Sequence, residues 1–165
     1  MPRARRNEIT MTPEAVRVLR QFRVVFNSVR KHFRVTEKKA GISGAHVWAL
    51  SVVKEHPHIG VGDLARAMDV HQSTASNLVR TLLAEELVAA EKDPADRRAV
   101  QLTITAKGNR VLRSAPNPYE GVLPEALHAL KAGTLKRLER DLEELIAVLD
   151  PDHSGAHIPL GRADK

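Results

Sequence analysis

The sequence predicts a mainly α-helical chain that carries one small β-hairpin, and three observations predict it. Apolar residues recur at spacings of three and four along most of the 165 residues, which marks helices with one buried face. The period changes to two in one place only, at Val88 and Ala90 and then at Val100, Leu102 and Ile104, on either side of Asp93-Pro94-Ala95-Asp96. Helix start and stop residues fall between the periodic segments: Thr12-Pro13, Gly41, Ser43, Pro57 and Thr105.

The first helix starts at Thr12, a side-chain cap, followed by Pro13 at the first helical position and Glu14 at the positive end of the dipole. Met11 and Val16 are spaced as a hydrophobic staple. Val16, Leu19, Phe22, Val25, Phe26, Val29 and Phe33 keep helical spacing to about Thr36, so all three phenylalanines lie on one stripe that requires a partner. Gly41 stops this helix, and Ser43 is a candidate cap for a second that carries Val47, Leu50 and Val53 and closes at Pro57. Residues 62–68 form a short third helix, and residues 72–86 a fourth, joined by the tight connection Asp69-Val70-His71. The hairpin follows, with one apolar face and a charged tip. Thr105 caps a further helix carrying Val111 and Leu112. Pro116, Pro118 and Pro124 interrupt the chain, and a last helix runs from about Ala132 to Leu149. Its Leu135, Leu138, Leu142, Leu145 and Leu149 alternate spacings of three and four, the seam of a helix pair, which favours a homodimer. Residues 1–11 and 151–165 read as tails, the first basic and the second flexible.

Bulk chemistry narrows the function. There are no cysteines, which excludes disulfides, Cys-ligated zinc and thiol redox sensing within the chain. His56 and His58 flank Pro57 without a third ligand type nearby, so neither a metal nor a cofactor is expected. No phosphate loop, nucleophile elbow, dinucleotide fingerprint or His/Glu metal motif is present, and Gly60-Val61-Gly62 lacks the rest of a phosphate loop, so the chain is expected not to be an enzyme. No apolar run reaches the ~20 residues of a membrane span and no signal-peptide pattern opens the chain, which predicts a cytoplasmic protein without a membrane partner. The formal charge of +6 is unevenly placed: residues 1–40 hold 11 Lys/Arg against 3 Asp/Glu, and the remainder 15 against 17. A basic N-terminal region suits phosphate contact, or simple solvation.

Two short helices joined by a tight turn and followed by a hairpin make a winged helix-turn-helix. On the second of these helices Ala75, Leu78, Val79 and Leu82 share the inner face, while Ser73, Asn77, Arg80 and Ala84 lie opposite, with Ser76 and Thr81 on the flanks. Asn pairs with adenine and Arg with guanine in the major groove of double-stranded DNA. Gln72, Ser73 and Thr74 stand at the helix N-terminus, where a phosphate is stabilised. At the hairpin tip Lys92, Arg97 and Arg98 surround Asp96, a set that fits either a minor-groove probe or ordinary turn chemistry.

The run Asp93-Pro94-Ala95-Asp96-Arg97-Arg98-Ala99-Val100-Gln101-Leu102-Thr103-Ile104-Thr105-Ala106-Lys107-Gly108 resembles the wing of the MarR family, with its D-x-R-D/x-R-R tip and its L-T-x-x-G helix start. Leu64-Ala65 and Gln72-Ser73-Thr74-Ala75-Ser76 resemble that family's segments around the turn, and the likeness extends over about residues 12–150. The resemblance implies a dimer joined through its terminal helices, binding a pseudo-palindromic operator, usually as a repressor. Ser73, Thr74, Ser76 and Asn77 would meet the major groove, and Arg97 or Arg98, oriented by Asp96, the minor groove. It also implies a small aromatic or phenolic carboxylate effector, held where the dimer helices meet the DNA-binding lobe by residues such as Phe26, Arg30, Trp48 and Val111; Trp48 also fits a plain core position. The expected organisation is a dimerisation helix at 12–40, a DNA-binding lobe at 41–115 and dimerisation helices at 116–150. Two departures from the family stand out: Asn77 occupies a position that often holds Arg, and the prolines break a helix that is continuous in many members. The alternative reading is a winged helix that binds nucleic acid without sequence preference, or binds protein.

Overall fold

The computed structural model describes residues 11–92, 100–149 and 153–161. As expected, it is mainly helical with a small antiparallel sheet. In chain order the elements are α1 (Pro13–Ala40), α2 (Gly44–Glu55), β1 (Ile59–Gly60), α3 (Val61–Ala67), α4 (Gln72–Ala84), β2 (Val88–Lys92), β3 (Val100–Ile104), α5 (Ala106–Ser114), α6 (Val122–His128) and α7 (Ala132–Leu149). No helix among the described residues is long and apolar enough to cross a membrane.

Local chemistry accounts for most boundaries. Thr12 accepts the Ala15 amide at 3.2 Å. The Glu14 backbone amide, and then Arg17, hold the Glu14 carboxyl below its usual pKa. At the far end Gly41 takes the left-handed conformation (φ 75°), and its N–H donates to the Glu37 carbonyl at 2.9 Å. This end lies four residues beyond Thr36, because Glu37-Lys38-Lys39 are good helix formers that add no apolar period. Ser43 occupies the cap position of α2 but makes no capping bond. Its hydroxyl pairs with His46 Nδ1 at 2.7 Å, and burial pushes the His46 imidazole below its ordinary pKa.

The core centres on α2, whose Val47, Leu50 and Val53 are fully buried, as the sequence indicates. Around it pack Leu64 of α3, Leu82 of α4, Leu102 of β3 and Leu112 of α5, none more than 1% exposed. Burial stabilises each such leucine by roughly 1.5–3 kcal/mol, so this lobe is the rigid part of the chain.

The sheet order is β1-β3-β2, all antiparallel. The hairpin expected from alternation is β2–β3, with Ala90 facing Leu102 and Lys92 facing Val100. The third strand, β1, was not expected: two residues are too short to show a period. It pairs Ile59 with Leu102 and so ties the start of α3 to the wing.

The chain ends differ more. The proline-interrupted stretch contains a short helix, α6, which has Pro124 in its first turn, where a missing N–H costs nothing. None of the residues of α7 is buried within the single chain. The free tail expected at 151–165 is not what residues 153–161 form. His153–His157 make a 3-10 turn, Pro159 and Gly161 are buried, and the Ala45 N–H donates to the Gly161 carbonyl at 2.9 Å. Hydropathy gave no warning, because this anchorage is one backbone bond and a glycine contact.

Candidate nucleic-acid interface

Helices α3 and α4 meet through a turn that the sequence makes compact. The Met68 N–H returns to the Leu64 carbonyl at 3.0 Å and the Val70 N–H to the Ala65 carbonyl at 3.0 Å. Asp69 turns the chain with φ 50°, a conformation that Asp tolerates better than most residues. His71 then takes the cap position of α4 without a side-chain capping bond, which leaves the first-turn amides without a side-chain cap.

The burial pattern of α4 decides which predicted contact residues can reach a groove. Ala75, Leu78, Val79 and Leu82 are buried, as their phase requires. Gln72, Ser73, Asn77 and Arg80 are exposed on the opposite side, and Ser76 is half-buried at the flank. Thr74 departs from the expectation: it is only 9% exposed. The reason is spacing, since Thr74 stands four residues before Leu78 and eight before Leu82, on the inward stripe. Thr81, also outward, donates its hydroxyl to the Asn77 carbonyl at 3.3 Å.

In the wing, Lys92 is exposed at the end of β2. Asp96, Arg97 and Arg98 lie outside the described residues. Near the base of the wing Lys107 Nζ donates to the Glu85 carbonyl at 2.7 Å, a C-terminal carbonyl of α4. On α3 Arg66 pairs with Asp63 at the surface. The interface that can be described is therefore the outer face of α4, flanked by the wing.

The four residues expected around an effector do not come together. Phe26 is 56% exposed on α1, where its ring stacks with Phe22 at 6.1 Å between centroids. Arg30 is exposed, and Val111 packs against the core. Only Trp48 reaches a cavity, of about 200 Å³, with Val29, Phe33, Val70 and Leu123. Sequence reasoning missed Val29 and Phe33 for this role, although both belong to the α1 stripe it identified. What separates them from Phe26 is position: the last turns of α1 lie over the lobe, and the middle of the helix projects beyond it.

Comparison with known proteins follows the same outline. Residues 40–99 match the family model described as the MarR family. Over 85 residues the chain is 25% identical to the HTH-type transcriptional repressor MdtR of Bacillus subtilis (strain 168), covering 52% of this chain and 55% of that protein. The chain spans about half the length of the curated relatives it matches. Among solved structures it is similar to a MarR family transcriptional regulator from Streptomyces coelicolor in complex with DNA, with a TM-score of 0.57, 22% identity, and coverage of 93% of this chain and 95% of that one. It is also similar to FabT of Streptococcus pneumoniae in complex with DNA, with a TM-score of 0.53, 16% identity, and coverage of 82% and 96%. At these identities the structural likeness establishes the fold.

Proposed function

We propose that this chain, whose residues 40–99 match the MarR family model, is a transcriptional regulator of that kind that binds a specific double-stranded DNA site as a homodimer. The observation that carries the proposal is the outer face of α4. Ser73, Asn77 and Arg80 are exposed together on a helix whose other face is locked into the core. A solvated helix face would more often carry Lys/Glu pairs; this one carries small donor and acceptor groups and one guanidinium, which suit base edges. The uncapped amides at the start of α4, beside Gln72 and Ser73, suit a phosphate. Lys92, Asp96, Arg97 and Arg98 are assigned to the flanking backbone or minor groove on the family resemblance alone.

Repression is the favoured outcome of binding, because the relative MdtR is named a repressor. Release by a small aromatic or phenolic carboxylate is part of the same reading, with Val29 and Phe33 joining Trp48 in place of Phe26, Arg30 and Val111. The relatives and neighbours are regulators and not enzymes, which supports a binding function.

The test is selection of bound duplexes from a randomised pool, followed by the salt dependence of affinity for the winning site. The expected result is an inverted repeat with half-sites about one helical turn, ~10 base pairs, apart. Binding without enrichment that collapses as salt rises would replace this reading with a non-specific architectural one.

A further inference from the structure

Residues 153–161 touch three separate parts of the lobe. The Gly161 carbonyl accepts from the Ala45 N–H at 2.9 Å. It thereby satisfies a first-turn amide of α2, the helix whose own cap residue makes no capping bond. Gly161 also lies against Phe33: a side-chain carbon at this position would meet the ring at 2.6 Å and the Ala45 nitrogen at 3.0 Å. Further back, the His157 ring stands edge-on to His71 at 4.8 Å between centroids, and its Nδ1 is 3.4 Å from the Asp69 carbonyl and 3.8 Å from the Asp69 carboxylate. Asp69 is the left-handed residue of the α3–α4 turn, and His71 is the cap residue of α4. Between these anchor points the segment forms one wall of the Trp48 cavity.

We propose that residues 153–161 are a strap that closes the Trp48 cavity and steadies the turn ahead of α4, so that its release opens the cavity and weakens DNA binding. The segment is short, buries only Pro159 and Gly161 and holds on by few contacts, which places it at the low-stability end of the structure, where regulated elements lie. Release costs one backbone bond at α2 and the glycine contact at Phe33, and it frees a turn held in a sparsely populated conformation. A turn that must be re-ordered at each binding event lowers affinity by the cost of ordering it. A molecule that enters the cavity and displaces the strap is thereby coupled to the DNA-binding helix through a named segment. The DNA half of this proposal rests on the regulator reading; the cavity half does not.

The experiment uses the full chain and two variants. Gly161→Val forces a side chain against Phe33 and Ala45 and unseats the strap. His157→Ala removes the contact with the turn and leaves the Gly161 seat intact. Trp48 is the single tryptophan, so acrylamide quenching reports on the cavity directly. In Gly161→Val the quenching constant is expected to rise about twofold, as local opening exposes the indole. DNA affinity is expected to fall about fivefold or more in both variants, the usual size of a coupling between sites. Unchanged quenching in Gly161→Val would overturn the strap as a cover. Unchanged affinity in His157→Ala would overturn its link to α4, and this variant decides the matter should Gly161→Val fail to fold. Absence of any specific DNA binding by the unmodified chain would instead sink the regulator reading and leave the quenching result standing.

Discussion

Gly108 and Thr105 show how single residues join the wing to the lobe. Thr105 accepts the Gly108 N–H at 3.0 Å and donates to the Glu86 carbonyl at 2.8 Å, with the Leu87 carbonyl at 3.1 Å. One hydroxyl therefore caps α5 and holds the exit from α4. Gly108 lies directly on the Leu87 backbone, where a side-chain carbon would overlap the carbonyl oxygen and meet Ile104 at 2.9 Å. Backbone cannot yield as a flexible side chain would. Gly108→Ala is therefore expected to destabilise the chain by about 3 kcal/mol, as overpacking of a tight contact does. A urea-unfolding midpoint within experimental error of the unmodified chain would show that the contact relaxes freely. The cap at Thr105 was legible in the sequence, because it depends on neighbours three residues away. The need for glycine at 108 was present only as part of a family resemblance, because its cause is the Leu87 backbone, about 20 residues earlier in the chain.

At the scale of elements, the inward stripe of α4 was legible from helical phase, and the outward stripe followed as its complement. Thr74 was misplaced because its chemistry, a hydroxyl near a helix N-terminus, suggested contact, while its phase put it beneath Leu78. The two-residue strand β1 carried no readable period, although it fixes where α3 begins. In the proposed reading α4 and the wing divide the work of recognition, and mutation can separate the parts. Asn77→Ala should lower discrimination among bases by about 1–3 kcal/mol at one position and leave the salt slope unchanged. Arg97→Ala with Arg98→Ala should weaken binding to all sequences and reduce the slope by about one unit per lost phosphate contact. Affinity titrations across a salt series on matched and mismatched duplexes distinguish the two. Uniform loss in Asn77→Ala would assign that side chain to the backbone, and an unchanged slope in the arginine pair would remove the wing from the contact model.

For the whole molecule, two apolar helix faces lack a partner among the described residues. On α1, Val25 is more than a third exposed and Phe26 more than half; on α7, Leu138 and Leu145 are each more than a third exposed and Leu149 more than half. The middle of α1 and the whole of α7 expose these faces, at opposite ends of the sequence. Faces of this kind are rarely left open to water, and the regular leucine seam of α7 suits a second helix of its own kind. The sequence could show that these faces need a cover but not what covers them, since periodicity records a buried stripe without naming its neighbour. The proposed homodimer would cover both faces at once and would bring two copies of α4 to two half-sites. Leu138→Glu with Leu145→Glu puts two charges seven residues apart on the same face of α7, away from the lobe. Sedimentation should then give half the mass of the unmodified protein. Affinity for a full inverted repeat should fall by at least about 100-fold, since the second half-site no longer binds at the raised local concentration that linkage supplies. Far-UV circular dichroism should stay near that of the unmodified chain, because the α2-centred core lies elsewhere. A variant that remains dimeric would move the interface off α7 and leave the α1 stripe as the face that joins the subunits.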